Sequence, residues 1–349
     1  QRAAILTMLS AKFPTEIIDP HHHFLDTGNT DFQTFLQSAA GCEIQSLPES
    51  YTKDVIQPLT KLGIKFLASV HVEAMPDDGG KEVEWVEAMS KKGRCSFVEG
   101  YVASCDLSRE DADDELRRLV LQTPKVKGIR WILDYVGKFD GDSATHLATT
   151  RFDADYLKEP KFISGLGLLE KHNLSFDLQC APIQLVDSAA AVFGQYPNLK
   201  VCIDHLGKPR KVLGDDKLPD GSINPNLIPN EEELRVWRKG MKDMAALPNV
   251  YVKISMLGYS LPGWIRTSER KEMMRSLVRE TVELFGPNRC MTAFNWHVNG
   301  AVSDADNMSD IGPDAVELMK LFTWFFEGYS QEDTDRLFSG TAKEFYRLG

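Results

Sequence analysis

The 349-residue sequence predicts a (β/α)8 barrel, the TIM-barrel fold of the α/β class. Three observations support this prediction. Short apolar runs with the length of buried strands recur eight times, helical patterns separate them, and no glycine-rich phosphate loop follows an early strand. The alternation requires a parallel sheet, and eight repeats close such a sheet into a barrel. The alternative is an open doubly wound sheet, in which that glycine-rich loop would be expected.

Each predicted strand is a buried apolar run, and several of the runs end in polar residues. In chain order the strands are expected at 16–19, 64–73, 97–102, 126–132, 174–179, 199–205, 250–255 and 290–295. Apolar residues at helical spacing predict helices at about 81–92, 108–120, 163–171, 182–193, 231–246, 270–285, 312–327 and 331–347, and another helix begins near Tyr51.

The domain prediction is a single barrel domain spanning 1–349, in which 1–15 form a lead-in and 16–349 form the barrel and the C-terminal helices. Two long polar segments, 133–160 and 210–230, interrupt the alternation without carrying a motif. We expect both segments to lie over the pocket, at the C-terminal ends of the strands, and to set the substrate.

Composition narrows the class of function. A net charge of -11 argues against a nucleic-acid partner, although it is compatible with a local basic pocket. The six cysteines are scattered without a CxxC pair, which argues against a zinc-thiolate site and a disulfide framework. We find no signal peptide and no membrane span, so the expected protein is a cytoplasmic enzyme acting on a small molecule.

The most informative stretch is Ile17-Ile18-Asp19-Pro20-His21-His22-His23-Phe24. Alternation along a strand places His21 and His23 on one face and His22 on the other. Two imidazoles on one face can hold a divalent metal or grip an anionic group. Other polar residues at predicted strand ends are His71, Glu73, Arg130, Asp177, Gln179, Asp204, His205, Lys253, Ser255, Asn295 and His297. In a barrel, chemistry gathers at these ends.

Five blocks give the chain a resemblance to a known family. They are Asp19-x-His21-x-His23, Lys127-Gly128-Ile129-Arg130-Trp131, Asp204-His205-Leu206-Gly207-Lys208-Pro209, Val252-Lys253-Ile254-Ser255 and Arg289-Cys290-Met291. In this order they resemble the amidohydrolase superfamily, in its amidohydrolase-2 branch of TIM-barrel hydrolases. Members of that branch include sugar-lactone and 2-pyrone-4,6-dicarboxylate lactonases and, more distantly, a decarboxylase.

The resemblance implies roles for individual residues. The metal ligands would be His21, His23, Glu73 and His205, with zinc the first expectation, manganese the second, and metal-independent catalysis an open alternative. His205 would also polarise the substrate carbonyl. The substrate-binding residues would be Arg130, Lys253, Gln179 and His71. The resemblance also implies a homodimer.

One departure from the family pattern affects the predicted chemistry. Hydrolytic members commonly end the eighth strand in Gly-Ser-Asp-Trp-Pro, whereas this chain has Ala293-Phe294-Asn295-Trp296-His297. An amide cannot act as a general base, so His297 is the nearest substitute, and Asn295 and His297 join His205 as candidate catalytic residues. Two other carboxylates, Asp177 and Asp204, are available, but Asp204 is expected to point into the barrel wall.

Three hypotheses follow from these residues. The first is a hydrolase that opens a lactone, or a related cyclic ester, of a small carboxylated or sugar-derived substrate with an activated water. The second is a decarboxylase or another lyase, which needs no water-activating carboxylate and therefore suits Asn295. The third is a catalytically impaired binding protein that has kept the pocket.

Overall fold

The structure is a computed structural model that describes residues 13–135, 155–296 and 313–349. Eight strands pair in parallel, each with its neighbours in chain order: β1 (Glu16–His22), β2 (Lys65–Val72), β3 (Val98–Ser104), β4 (Val126–Ile132), β5 (Ser175–Gln179), β6 (Val201–Ile203), β7 (Val250–Ile254) and β8 (Cys290–Thr292). A parallel bridge between His22 and Trp296 joins the last strand to the first. The prediction of a (β/α)8 barrel is therefore confirmed.

Helices follow the strands, as the apolar periodicity predicts. Their bounds are Thr34–Ala40, Pro48–Tyr51, Gln57–Lys61, Gly79–Lys91, Ala112–Gln122, Pro160–Lys171, Pro182–Gln184, Ala190–Phe193, Glu231–Ala245, Ser268–Phe285, Ala315–Phe325, Gln331–Asp335 and Thr341–Tyr346. Three π-helical turns, Thr52–Ile56, Leu185–Ala189 and Arg336–Gly340, each join two of these segments. No helix in the described ranges is long and apolar enough to cross a membrane.

Capping side chains explain most of the small differences between predicted and observed helix starts. Side chains that accept a hydrogen bond from the first turn precede several helices, namely Asp78, Glu159, Asn230, Thr267, Asp314 and Ser330. For example, Glu159 accepts from Lys161, and Pro160 fits the first helical position. That helix therefore begins three residues earlier than its apolar pattern indicates.

The apolar core has two layers. The larger cluster lies between the outer face of the strands and the helices. The smaller one combines inward-facing residues of β1, β2, β3, β6, β7 and β8 with four residues of the C-terminal segment, Ala342, Phe345, Tyr346 and Leu348. The C-terminal segment also forms hydrogen bonds near the N-terminal ends of β3, β4 and β5. Arg347 donates to the carbonyls of Lys127 and Asn173, and the Gly349 N–H donates to Glu99. The barrel floor is therefore closed by the end of the chain.

Backbone strain concentrates at the opposite end of the barrel. Non-glycine residues with positive φ follow β2, β6, β7 and β8, namely Met75, His205, Leu206, Lys208, Met256 and Asn295. Side chains rarely adopt this conformation, and such residues cluster at functional sites. Two strands also end earlier than predicted: β6 ends at Ile203 and not at His205, and β8 ends at Thr292 and not at Asn295. His205 and Asn295 both have positive φ, which a strand does not accommodate.

The 210–230 insertion is held by ion pairs. Asp216 accepts bonds from Arg266 and Arg270, and Arg270 also donates to the carbonyl of Asn224. The insertion is therefore tied to the segment that follows β7. Most of the other long segment, 133–160, lies outside the described residues.

Candidate active site at the mouth of the barrel

A β-bulge in β1 directs His21 and His23 into the barrel. Asp19 pairs with Ser69 and His22 with His71, so β1 spans three steps where β2 spans two. Asp19 lies on the outer face, where its carboxylate accepts from the Tyr51 hydroxyl. Strict alternation would leave His21 on that outer face as well. The extra residue at the bulge, next to Pro20 with its missing N–H, reverses the faces.

Asp19 also stabilises the bulge. Its Oδ1 atom accepts the backbone N–H groups of His21 and Phe294, which joins β1 to the end of β8. Burial raises the pKa of this carboxyl group to about 6, although the three hydrogen bonds oppose the shift. Alternation alone places His21 and His23 on one face, and the local irregularity of the strand turns that face into the barrel.

The hydrogen bonds of these two imidazoles fix their protons. His23 Nδ1 lies 2.8 Å from the carbonyl oxygen of Val72, so Nδ1 carries the hydrogen and Nε2 carries the lone pair. His21 Nδ1 lies 3.1 Å from Nζ of Lys253, which can only donate. The hydrogen of His21 is therefore on Nε2, which lies 3.2 Å from Nε2 of His23 and donates to it.

Lys253 lies at the centre of the site and is fully buried. Its Nζ donates to Oδ2 of Asp177 at 2.5 Å and to Nδ1 of His21 at 3.1 Å, and it forms an ion pair with Oδ1 of Asp204 at 3.0 Å. Although burial disfavours the ammonium charge, Asp177 and Asp204 raise the pKa of Lys253 above its usual value. Burial and the Lys253 charge hold the pKa of His21 well below its usual range.

Asp204 points into the barrel, which corrects the expectation that it faces the wall. Cys202, two residues earlier, faces the barrel interior, so Asp204 continues the same alternation, and the positive φ of His205 brings the next side chain within reach of His21 as well. Burial alone would raise the pKa of Asp204, but Lys253 and His21 hold it well below its usual range. Oδ1 of Asp204 forms an ion pair with Lys253 at 3.0 Å and lies 3.6 Å from Nδ1 of the neutral His21, and neither carboxylate oxygen accepts a hydrogen bond of good geometry from the described residues.

His205 is held as a neutral imidazole. Burial lowers its pKa to about 3, and the Asp204 charge only partly opposes the shift. Its Nδ1 atom lies 2.9 Å from Oγ of Ser255. When the Ser255 hydroxyl donates to Nδ1, the His205 hydrogen is on Nε2, where a neutral imidazole can polarise a carbonyl.

Arg130 is already engaged by Glu73. The Nε atom of Arg130 donates to Oε1 of Glu73 at 2.6 Å, and Nη2 donates to the Glu73 carbonyl at 2.5 Å. The other Glu73 oxygen accepts the N–H of Met75. Both oxygens of Glu73 are thus occupied, so we leave this residue out of the metal-ligand set in which it was predicted.

Further ion pairs surround the same end of the barrel. Gln179 accepts from Arg130 at 3.4 Å and donates to Asp134, which also accepts from Lys208 at 2.7 Å. The described residues contain four buried Lys and Arg side chains, and each has a carboxylate partner: Arg130, Lys208, Lys253 and Arg270. The three near the site face four buried carboxylates, those of Glu73, Asp134, Asp177 and Asp204.

Three predicted site residues, His71, Asn295 and His297, take no part in the hydrogen bonds of the site that the structure describes. His71 packs outside the barrel wall against Phe24 and His22 and accepts the N–H of Phe24, which corrects its prediction as a substrate-binding residue. Asn295 is buried, with positive φ, and its Oδ1 atom has no partner in the described ranges. His297 lies outside the described residues.

The donor set at the site suits a divalent metal. His21, Asp204 and His205 each offer a ligand atom, all within 4.8 Å of one another. The 3.2 Å between the Nε2 atoms of His21 and His23 is close to the edge of a tetrahedron with bonds of about 2.0–2.1 Å, the usual zinc–nitrogen distance. One condition applies, because the hydrogen on Nε2 of His21 must leave before that nitrogen can bind a metal.

Comparison with known proteins identifies the family. The amidohydrolase family profile matches residues 18–348. The chain belongs to the amidohydrolase family. This membership confirms the predicted superfamily and the prediction of an enzyme.

Full-length relatives are distant. An L-fucono-1,5-lactonase of Burkholderia ambifaria is 23% identical over 95% of this chain and 95% of its own length. An uncharacterized protein of Sinorhizobium fredii is 25% identical over 95% and 98% of the two chains. An amidohydrolase of Burkholderia multivorans with bound zinc has a similar fold, with a TM-score of 0.68, 20% identity, and 95% and 99% of the two chains covered.

Proposed function

We propose that this amidohydrolase hydrolyses a small, uncharged sugar lactone. The observation that carries the proposal is the buried cluster of His21, Asp204 and His205, in which the Asp204 carboxylate has both oxygens free of hydrogen bonds from described residues. Asp204 supplies the ionised carboxylate that the sequence lacks at Asn295. The full-length L-fucono-1,5-lactonase relative supports a lactone as the substrate class.

Charge favours an uncharged lactone over a carboxylated one. Among the described residues near the site, three buried cations face four buried carboxylates, so the charge balance of these groups is negative at neutral pH. Moreover, Glu73 occupies the Nε and Nη2 atoms of Arg130, which are the pair that would clamp a substrate carboxylate. An anionic substrate would therefore meet a negative set of described groups, in which the guanidinium fork of Arg130 is already occupied.

In the proposed mechanism, Nε2–H of His205 donates to the lactone carbonyl oxygen, and the Asp204 carboxylate accepts a hydrogen bond from the attacking water. Water adds to the carbonyl carbon, the ring carbon–oxygen bond breaks, and the proton taken from water is returned to the leaving ring oxygen. The product is an open-chain hydroxy acid. His205 remains neutral throughout, because its low pKa makes it a hydrogen-bond donor and not an acid.

In a metal-bound form, His21, Asp204 and His205 would hold a divalent metal, with His23 as a further nitrogen donor. The His205 hydrogen would then lie on Nδ1, toward Ser255, and the ion would replace Nε2–H as the group that polarises the carbonyl. Such an ion polarises a carbonyl and lowers the pKa of a bound water. This contribution suits a site whose ionised carboxylate is a weak base, since the pKa of Asp204 lies well below its usual range. Zinc is the first candidate, because its usual ligands are imidazole and carboxylate groups.

A decarboxylase is the second candidate, because Asn295 is neutral and decarboxylation needs no water-activating carboxylate. A 2,6-dihydroxybenzoate decarboxylase from Rhizobium has a related fold, with a TM-score of 0.51, 13% identity, and 96% and 99% of the two chains covered. The charge balance argues against this candidate, since its substrates carry a carboxylate. Carbon dioxide release from aromatic acids is its direct assay.

The test is turnover of sugar lactones by the wild-type protein and by Asp204→Asn, after metal analysis of the purified protein. We expect ring opening by the wild type, with or without added zinc or manganese, and a loss of at least about 100-fold in kcat for Asp204→Asn. Asp243→Asn is the matched control, because Asp243 lies on an outer helix, where it pairs with Lys239, and its substitution should leave kcat unchanged. Tight lactone binding without turnover would instead support a binding protein.

A further inference from the structure

The hydroxyl of Tyr346, a residue of the C-terminal segment, lies inside the barrel. Tyr346 is fully buried among the inward-facing apolar residues of the strands. Its hydroxyl donates to Oδ2 of Asp177 at 2.7 Å. Burial raises the pKa of Tyr346 well above its usual range, so the hydroxyl keeps its proton and remains a donor.

The same Asp177 oxygen binds Lys253. Nζ of Lys253 lies 2.5 Å from it and 5.4 Å from the centre of the Tyr346 ring. Tyr346 therefore contacts the Asp177–Lys253 pair twice, through a hydrogen bond to the carboxylate and through a cation–π contact to the ammonium. The proposed mechanism assigns no task to any of these three residues.

We propose that Tyr346 is a positioning residue for the active site and acts through Asp177 and Lys253 on His21. The ammonium is oriented to donate to His21 Nδ1 only while Asp177 and Asp204 hold it from the other sides. That donation places the His21 hydrogen on Nε2, toward His23. The chain's last helix thus sets the protonated nitrogen of an active-site histidine from the other end of the barrel.

Loss of the Tyr346 hydroxyl should weaken the hold of Asp177 on the Lys253 ammonium and therefore the hydrogen bond from Lys253 to His21. Asp177 would lose one of its two donors and turn toward the remaining one, so the ammonium would move with it. His21 Nδ1 would then be free to carry the hydrogen and to donate to Oδ1 of Asp204, 3.6 Å away. Groups that orient active-site residues in this way typically change activity by about 10-fold to 100-fold when they are removed.

The experiment is Tyr346→Phe, which keeps the ring and removes the hydroxyl. Tyr101→Phe is the matched control, because Tyr101 is equally buried and its hydroxyl bonds to a carboxylate, Glu87, outside the barrel. Two-bond proton–nitrogen spectra of histidine-labelled, metal-free protein report which ring nitrogen of His21 is protonated when the hydrogen bond from Lys253, and not a metal, decides it. We expect Nε2–H in the wild type and in Tyr101→Phe, and a substantial Nδ1–H population in Tyr346→Phe.

The inference depends on the proposed function only for its kinetic readout. With a lactone substrate and metal-free protein, we expect Tyr346→Phe to lower kcat by about 10-fold to 100-fold and to leave KM within about twofold, because the ammonium that moves also pairs with the Asp204 carboxylate and no group that contacts the substrate is removed. If no lactone is turned over, the proposed function fails, and the nitrogen spectra alone decide this inference. An unchanged His21 spectrum in a folded Tyr346→Phe protein overturns it in either case.

A second variant protects the test against misfolding. Asp177→Asn keeps the shape of the side chain and removes the charge that holds Lys253, so it should give the same shift of the His21 hydrogen. Thermal unfolding identifies any variant that is not folded. If Tyr346→Phe does not fold, the spectrum of Asp177→Asn is decisive, and an unchanged His21 hydrogen there overturns the inference.

Discussion

Replacing Lys253 by Met tests the charge network at the centre of the barrel. Lys253 is fully buried, and its ammonium is within 3.0 Å of two buried carboxylates, those of Asp177 and Asp204. Methionine nearly preserves the volume but leaves both carboxylates without this cation. Removal of one partner from a buried ion pair typically costs about 3–5 kcal/mol in the free energy of unfolding, and we expect a loss in this range.

The assay is urea-induced unfolding of the wild type, Lys253→Met and the double variant Lys253→Met with Asp177→Asn. Neutralising Asp177 removes one of the two unpaired charges, so the double variant should recover at least about 1 kcal/mol. Lys65→Met is the matched control, because Lys65 pairs with Glu16 at 2.9 Å on the surface of the same sheet. Exposed pairs contribute about 0–1 kcal/mol. A Lys253→Met cost no larger than that of Lys65→Met would refute the reasoning.

Three further predictions concern single residues. The pKa of Asp19 is about 6 in the folded protein, above its ordinary value of 3.8, so the free energy of unfolding of the wild type should fall as pH rises from 3.8 to 6. Unfolding curves should therefore show Asp19→Asn gaining up to about 3 kcal/mol relative to the wild type between pH 4 and 7. Ser255→Ala removes the hydroxyl that orients His205 and should lower kcat by about 10-fold in steady-state assays, whereas Ser255→Thr, which keeps the hydroxyl, should retain activity. Asn295→Asp should not raise kcat/KM above the wild-type value, because Asp204 already supplies the carboxylate; a large gain would identify the native site as a disabled hydrolase.

The fold was largely predictable because its signals are local and repeated. Eight apolar runs indicated the strands, and the helical periodicity indicated helices within a few residues of their observed bounds. The shared face of His21 and His23 was predicted from alternation along an extended segment. What that argument could not include was the bulge that turns them inward, because a bulge is defined by pairing with the neighbouring strand.

The site was harder to predict, because pairings between distant residues decide it. Asp204 faces Lys253 because it continues the inward face of Cys202, whereas His205 joins it at the site only through a left-handed backbone that the sequence does not reveal. The occupation of Arg130 by Glu73 is a contact across 57 positions of sequence. His71 lies on the outer face because Val70 and Val72 beside it are the inward residues of the same strand, but a strand that is apolar on both faces does not show in the sequence which face is inward.

The most direct test compares two substrates that differ at one terminal carbon, which is uncharged in one and carries a negative charge in the other. One is a sugar lactone with a terminal CH2OH group, and the other is the same lactone with that group oxidised to a carboxylate. Because the buried groups near the site are already negative in balance, the account predicts that kcat/KM for the uncharged lactone is higher by at least about tenfold, or ~1.4 kcal/mol. A preference for the carboxylated lactone would contradict it and would make Arg130 or Lys208 a carboxylate-binding group.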